Sequence, residues 1–211
     1  ELFSIDNFII IIRLLWFERK ILFIDDDYTR LSEVSDAFIS LLYPFKWIHT
    51  YIPIMSDQMI KYLETFLPFV NGIHLSLMSL VNQVFNNGEI DDSEEVFLIN
   101  IIEGKIDLSS SVKKKKKKLS KYIQTNVPAL PASIEKQLRT KLTEIKGSFG
   151  HKTNEGKRLS IATRPVDPTK YDKKIRDACL EMFVEMFKDY PRFICIVDND
   201  VIFNKNSFMN R

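Results

Sequence analysis

The sequence predicts an α/β fold: a mixed, partly parallel sheet flanked by helices, followed by a small helical C-terminal subdomain. Three observations point there. In the first half of the chain, stretches with helical period alternate with short apolar runs, the pattern of parallel strands joined by helical crossovers. Two β-prone runs then flank Glu103-Gly104, a turn that adds an antiparallel hairpin and makes the sheet mixed. After a run of six lysines the strand signals thin out and two long helical periods take over.

The elements follow in order. Asp6 is placed to cap a helix over residues 7–19, whose stretch FIIIIRLLWF is apolar on nearly every face and so is buried on most sides. Isoleucine is also β-prone, but the length of the stretch favours a helix. Residues 21–24, Ile-Leu-Phe-Ile, form a buried strand ended by Asp25-Asp26-Asp27. Leu31, Val34, Phe38, Leu41 and Leu42 recur at helical spacing and predict a helix over 29–43, stopped by Pro44. Residues 51–54 read as a strand in which Pro53 must sit where its missing N–H does no harm. Ser56 or Asp57 caps a third helix to about Thr65, residues 69–73 make a third strand, and a helix over 76–85 ends at Asn86-Asn87-Gly88. An acidic loop over 89–95 leads to the hairpin strands at 96–102 and 105–108.

The second half has a different texture. Ser109-Ser110-Ser111 opens a lysine-rich loop over 109–127, with Lys113 to Lys118 unbroken. Past Pro128 and Pro131, a helix carries Ile134, Leu138, Leu142 and Ile145 on one face. Residues 146–170 are polar, hold three glycines and two prolines, and read as a linker or insertion. Asp172 caps a last long helix with the stripe Ile175, Cys179, Met182, Phe183, Met186, Phe187 and Tyr190, broken by Pro191. The tail over 193–209 holds β-like residues and a second helix start at Asn204. The organisation expected is therefore an α/β lobe over 1–145, a linker over 146–170 and a helical part over 171–211. Charge agrees with a division: residues 1–108 hold 7 Lys+Arg against 17 Asp+Glu, and residues 109–211 hold 23 against 11.

Signals for covalent chemistry are missing. No phosphate-binding GxxxxGK[ST] or GxGxxG loop and no GxSxG nucleophile elbow occurs. His49, His74 and His151 are far apart in the chain, and Cys179 and Cys195 lack metal-site spacing. No cofactor or metal is expected. The two cysteines fit a reducing, cytoplasmic setting, with Cys179 a small core residue. The apolar run at 8–17 is too short to span a bilayer. The lysine run lacks the interleaved aromatics of a base-stacking surface, so it reads as a solvated insertion, with anionic lipid or nucleic acid as the electrostatic alternative. Trp47 and His49, between Pro44 and a strand, read as turn packing residues.

One acidic cluster stands at a strand end. Asp25, Asp26 and Asp27 are either a solvated loop with a helix cap or a partner-binding edge, since ligands of open α/β sheets meet the carboxyl ends of strands. Three adjacent aspartates cannot all face one ion, which makes metal binding the weaker alternative. Asn71, Gly72 and His74 mark the end of another strand and complete the candidate edge.

The order of particular words carries more. DNFIIIIRLLWFERKILFIDDD, then LSEVSDAFISLLYPFKWIHTYIPI, then LPFVNGIH resemble the central part of DENN domains: buried helix, Glu-Arg-Lys turn and first strand; the Leu-Tyr-Pro-Phe-x-Trp turn and second strand; and a Pro-Phe-x-x-Gly segment. Over 96–108 the chain resembles that family's hairpin strand, with Asn100 and Ile102 at the places of two aspartates separated by one residue. Pro128-Ala129-Leu130-Pro131 and the segment IRDACLEMFVEMFKDYPRF are similar to its downstream part, with Tyr190-Pro191-Arg192 where Tyr-Arg is usual.

The resemblance implies a Rab-type small GTPase as partner and guanine nucleotide exchange as activity. Because strand carboxyl ends are the usual docking edge of an open α/β sheet, Asp25, Asp26, Asp27, Asn71, Gly72 and His74 are the residues expected to face that GTPase. It implies a cytoplasmic protein of vesicle trafficking, with peripheral association to vesicle or endosomal membranes open. It also leads us to expect that the family's longin-like lobe is absent from these residues. Exchange works by differential binding to the nucleotide-free GTPase, so it needs no catalytic residue. The alternatives are a DENN-like scaffold that binds without exchanging nucleotide, and a membrane-surface or nucleic-acid binder through the lysine run.

Overall fold

The computed structural model describes residues 2–87, 95–109, 119–148, 168–197, 200–204 and 207. These fall into two compact units, Glu1–Leu130 and Pro131–Arg211.

The first unit opens with α1 (Ile5–Trp16). Its cap is Ser4 rather than Asp6: the Ser4 Oγ accepts from the Asn7 N–H at 3.1 Å, and Asp6 sits in the first turn, where a carboxylate favours the helix N-terminus. The helix also ends earlier than the expected residue 19. Glu18 takes φ +49°, Arg19 N–H bonds back to Leu14 O and Glu18 N–H to Leu15 O. That pair of bonds is the Schellman closure, here with Glu at the left-handed position usually held by Gly. The Glu-Arg-Lys turn is thus what stops the helix and feeds the strand. Ile9, Ile11, Ile12, Leu14 and Leu15 are all buried, as an all-round apolar helix requires.

A five-stranded sheet follows in the order β2-β3-β1-β4-β5, built from β1 (Lys20–Asp25), β2 (Thr50–Ile52), β3 (Phe69–His74), β4 (Val96–Asn100) and β5 (Lys105–Leu108). The first four are parallel and β5 returns antiparallel to β4. Central β1 is buried along its whole length, which is why its sequence is continuous Ile-Leu-Phe-Ile rather than alternating.

On one face, α1 and α2 (Tyr28–Ser40) cover Phe23, and the Phe38 ring packs against Phe3, Phe8 and Phe23 with centroids 5.5–5.8 Å apart. On the other, Leu22, Ile24, Phe69, Ile73, Val96 and Leu98 meet Ile60 and Leu63 of a 3-10 helix (Asp57–Glu64) and Val81 and Phe85 of α3 (Met78–Asn87). The expected third α-helix is therefore a 3-10 helix; its Asp57 carboxylate accepts only from the adjacent Gln58 N–H, and Ser56 makes no side-chain cap. Helix α2 stops at Ser40, and turns carry the chain from there to Pro44.

Gly72 has a packing reason. A Cβ there would lie 2.0 Å from the Pro53 carbonyl oxygen, because the chain leaving β2 crosses against β3 and donates Met55 N–H to Gly72 O at 2.8 Å. At the hairpin, Gly104 takes φ +63° and its carbonyl receives the Asn7 side chain at 2.7 Å.

Part of the stretch expected as a loop over 109–127 is helical: α4 runs Leu119–Asn126. Arg13 donates to the Val127 and Pro128 carbonyls at 2.7 and 3.0 Å, and Arg19 to Asn126 O at 2.5 Å. Two guanidinium groups thus satisfy the carbonyls at the C-terminus of α4, which accounts for a charged Arg13 inside an apolar helix. The lysine run itself lies outside the described residues.

The second unit holds α5 (Ala132–Ser148) and α6 (Pro168–Phe187). Ile134, Leu138, Leu142 and Ile145 are buried, as are Ala178, Cys179, Met182 and Phe183, and Lys141 pairs with Glu181. Burial pushes the Cys179 thiol up to about 12, so it acts as a small apolar residue. The expected edge of the first lobe at residue 145 falls inside α5, and most of the expected linker lies outside the described residues. Asp172 is not a cap: α6 already begins at Pro168, and the Asp172 carboxylate instead receives Arg176 one turn on at 2.8 and 2.9 Å. The tail folds as a hairpin of β6 (Ile194–Val197) and β7 (Asp200–Phe203) after a 3-10 turn over Tyr190–Phe193.

Candidate functional site

The parallel strands bring four chain ends to one edge. Asp25 closes β1 opposite His74 of β3, Ile24 stands beside Asn100 of β4, and Ile52 of β2 faces Asn71. The expected acidic cluster sits at this edge, but its three carboxylates have three different roles.

Asp25 has no solvent exposure. Its Oδ2 receives Arg30 Nε at 2.7 Å, and its Oδ1 receives an Arg30 terminal nitrogen at 2.5 Å and the Asp27 N–H at 3.0 Å. Burial pushes this carboxyl up, but the hydrogen bonds from Arg30 and the Asp27 amide, with the Arg30 charge, outweigh it and hold it below the ordinary carboxylate range. The same contact with Asp25 moves Arg30 further up, so the pair stays charged. Asp27 is the helix cap: its Oδ1 accepts from Thr29 and Arg30 N–H at 2.8 and 3.2 Å. Asp26 is exposed, as Asp27 is, and its carboxylate takes a 3.0 Å bond from Arg30. A joint change of Asp25 and Asp26 is thus not a pure surface change, contrary to a reading of both as solvated.

Asn71 and Gly72 lie within the sheet, Asn71 at 1% exposure, so neither presents a side chain at the surface. They support β3 from inside. His74 does reach the surface. Its Nδ1 accepts the Ser76 N–H at 3.2 Å and lies 2.7 Å from Ser76 Oγ. Its Nε2 lies 3.0 Å from the carbonyl of Asp26, which can only accept. These partners select the neutral tautomer with the proton on Nε2. The imidazole therefore ties the end of β3 to the loop after β1. Tyr28 stacks on it with centroids 4.5 Å apart at 20°, while itself 52% exposed.

Arg30, Tyr28 and Ser76 were not singled out in the sequence. Arg30 had a signal, the Asp26–Arg30 spacing of an i,i+4 pair; the Tyr28–His74 stack joins residues 46 positions apart and had none. Trp47 and His49 pack as expected: Trp47 Nε1 donates to Thr50 O at 3.1 Å, its ring sits edge-on to His49, and His49 Nε2 lies 3.1 Å from Glu18 Oε1.

Among the described residues no cluster of three or more His, Cys, Asp or Glu is placed to hold a metal, and no helix is long and apolar enough to cross a membrane. This edge offers directional hydrogen bonds, one exposed aromatic ring and an acidic border.

The sequence model of the DENN (AEX-3) domain family matches residues 1–104. The chain is similar to mouse DENN domain-containing protein 2D, 36% identical over 94 residues, which cover 44% of this chain and 18% of that protein. It is similar to human DENN domain-containing protein 2B, 32% identical over 98 residues, 46% of this chain and 8% of that protein. A DENN domain and WD repeat-containing protein of Arabidopsis thaliana is 29% identical over 100 residues, 44% of this chain and 8% of its own length. The matched stretch thus spans less than a fifth of each of these relatives. The family match takes in the four parallel strands and the helices packed on them and ends before β5. Residues 1–104 thus match the DENN (AEX-3) domain family, and over that stretch the chain is similar to DENN domain-containing proteins.

Proposed function

We propose that this chain is part of a guanine nucleotide exchange factor that binds Rab-type small GTPases and promotes GDP release in membrane trafficking. The observation that carries the reading is the family match over residues 1–104. On this reading residues 1–145 are the central DENN part and residues 171–211 the downstream part. The carboxyl edge of the sheet faces the GTPase, with Asp26, Asp27 and His74 at the surface and Asp25, Asn71 and Gly72 holding the loops in place behind them. The protein works in the cytoplasm, at the periphery of vesicle or endosomal membranes.

The chemistry is differential binding. An exchange factor binds the nucleotide-free GTPase more tightly than the GDP-bound one, so GDP leaves and the more abundant GTP replaces it. No covalent step is involved and no cofactor is called for. A pre-organised edge suits this task, since ordering costs on association are reduced.

Release of a fluorescent GDP analogue from a panel of purified Rab GTPases tests the reading. One member or a subset should lose the analogue faster in the presence of the chain and excess GTP. If no member is accelerated, and none binds the chain better without nucleotide than with GDP, the reading is wrong.

A further inference from the structure

We infer that the Tyr28–His74 stack is the anchor of a protein-docking surface formed by an apolar row along the carboxyl edge, and that its occupant is the GTPase, through an apolar patch bordered by basic residues. The inference rests on the exchange-factor reading and assigns the contact residues within it.

Each of the four parallel strands is followed by one exposed large side chain at this edge. Across the sheet they are Ile54 after β2, Leu75 after β3, Tyr28 after β1 and Ile102 after β4, exposed by 40, 41, 52 and 45%. Strands stand about 4.8 Å apart, so four strand ends place these residues along a row of about 15 Å. A row of that kind is unlike the isolated apolar residues common on protein surfaces.

The anchor is held before any partner arrives. The His74 ring is fixed from both sides, through Nε2 to Asp26 O and through Nδ1 from Ser76 N–H. Tyr28 lies flat on that ring although half of its surface stays in water. Holding a large side chain costs rotamer entropy that burial normally offsets. Here much of that burial is still available to a partner. Rigid, partly exposed tyrosines are the side chains that dominate protein-protein contacts.

Charge limits what fits. The exposed acids Asp26, Asp27, Asp57 and Glu103 border the row, against the bases Arg30 and Lys105. Each base pairs with acids of the same edge, Arg30 with Asp25 and Asp26 and Lys105 with Glu103 at 2.8 Å, so the acidic surplus is Asp27, Asp57 and the second partner of Arg30. The border thus favours basic residues around the partner's apolar patch and raises the encounter rate. The opposite edge of the sheet also exposes apolar residues, among them Ile48 and Phe66, but its neighbouring charges Glu18, Lys46, Lys61 and Glu64 balance.

The test measures binding of the full chain to a panel of nucleotide-free Rab GTPases by biolayer interferometry. Tyr28→Ala should weaken binding to the cognate GTPase by about 30-fold, as loss of an interface anchor does. Leu75→Ala should weaken it by several-fold, and Tyr28→Phe, which keeps the stack, should bind within about two-fold of the parent. All three should melt with the parent chain. Ile48→Ala and Phe66→Ala at the other edge should leave binding unchanged. If the parent binds and Tyr28→Ala binds equally well, or if only the Ile48 and Phe66 changes weaken binding, the docking surface is wrong and the exchange-factor reading stands. If no GTPase binds the parent chain, both are overturned.

Discussion

Gly72→Ala is the most direct test of how the carboxyl edge is built. The added methyl would lie 2.0 Å from Pro53 O, 3.0 Å from Pro53 C and 3.1 Å from Leu31 Cδ1. Ordinary carbon-oxygen contact begins near about 3.2 Å, so the Pro53 carbonyl would have to retreat by more than about 1 Å. Leu31 can turn aside only within a packed core, since it is fully buried. The retreat also pulls Met55 N–H away from Gly72 O, a 2.8 Å bond that ties the chain after β2 to β3. Overpacking costs about 1–3 kcal/mol and the lost backbone bond about 1 kcal/mol more, giving a total of about 2–4 kcal/mol. Both tryptophans, Trp16 and Trp47, lie in the first unit, so tryptophan fluorescence follows the unfolding of that unit by itself. With a urea slope of about 2 kcal/mol per molar, the midpoint should fall by about 1–2 M at unchanged slope. A fall of less than about 0.3 M would refute the reasoning, because it would mean that the β2–β3 crossing yields to a methyl group at almost no cost.

Two further changes separate the aspartates. Asp27→Ala removes the acceptor of two α2 N–H groups and should destabilise the first unit by about 1 kcal/mol in urea unfolding, whereas Asp26→Ala, at an exposed carboxylate, should change stability by less than about 0.5 kcal/mol. Asp25→Asn leaves Arg30 only the exposed Asp26 as a charged partner and should cost about 1–3 kcal/mol at neutral pH; the lower part of the range reflects that remaining pair and water reaching the Arg30 side chain. Because the folded-state pKa of Asp25 is depressed, its contribution is fully present above the ordinary carboxylate value of about 4 and is lost as pH falls through the folded value. Melting curves of parent and Asp25→Asn should therefore differ at pH 7 and draw together in acid; a difference that stays constant down to about pH 2 would contradict the ion-pair account.

Much of the architecture was legible from residue order alone. Continuous Ile-Leu-Phe-Ile could only be a strand covered on both faces, and it became central β1. The stripe at Ile134, Leu138, Leu142 and Ile145 became the buried face of α5, and Glu103-Gly104 made the hairpin turn. These features depend on period and on single-residue turn chemistry, which are local. Helix limits were less legible, because the end of α1 rests on Glu18 accepting a left-handed conformation that its type disfavours. Helix α4 was hidden for a different reason. The Leu119–Asn126 stretch has little apolar face of its own, and the carbonyls at its C-terminus are met by Arg13 and Arg19, more than a hundred residues earlier.

The candidate edge divides the same way. Three adjacent aspartates at a strand end could be found in the sequence, and Asp27 could be read as a cap for the following helix, but that Asp25 is buried against Arg30 could not. A carboxylate's role depends on the groups within about 3 Å of it, and those groups converge only when the strands pair. Register brings Asp25 beside His74, and the α2 helical turn returns Arg30 onto both Asp25 and Asp26. The Tyr28–His74 stack likewise exists because β3 lies next to β1, not because of anything near either residue in the chain. Residue order determined which elements form; parallel pairing between distant strands decided which side chains meet at the edge, because only that pairing places the end of one strand next to the end of another.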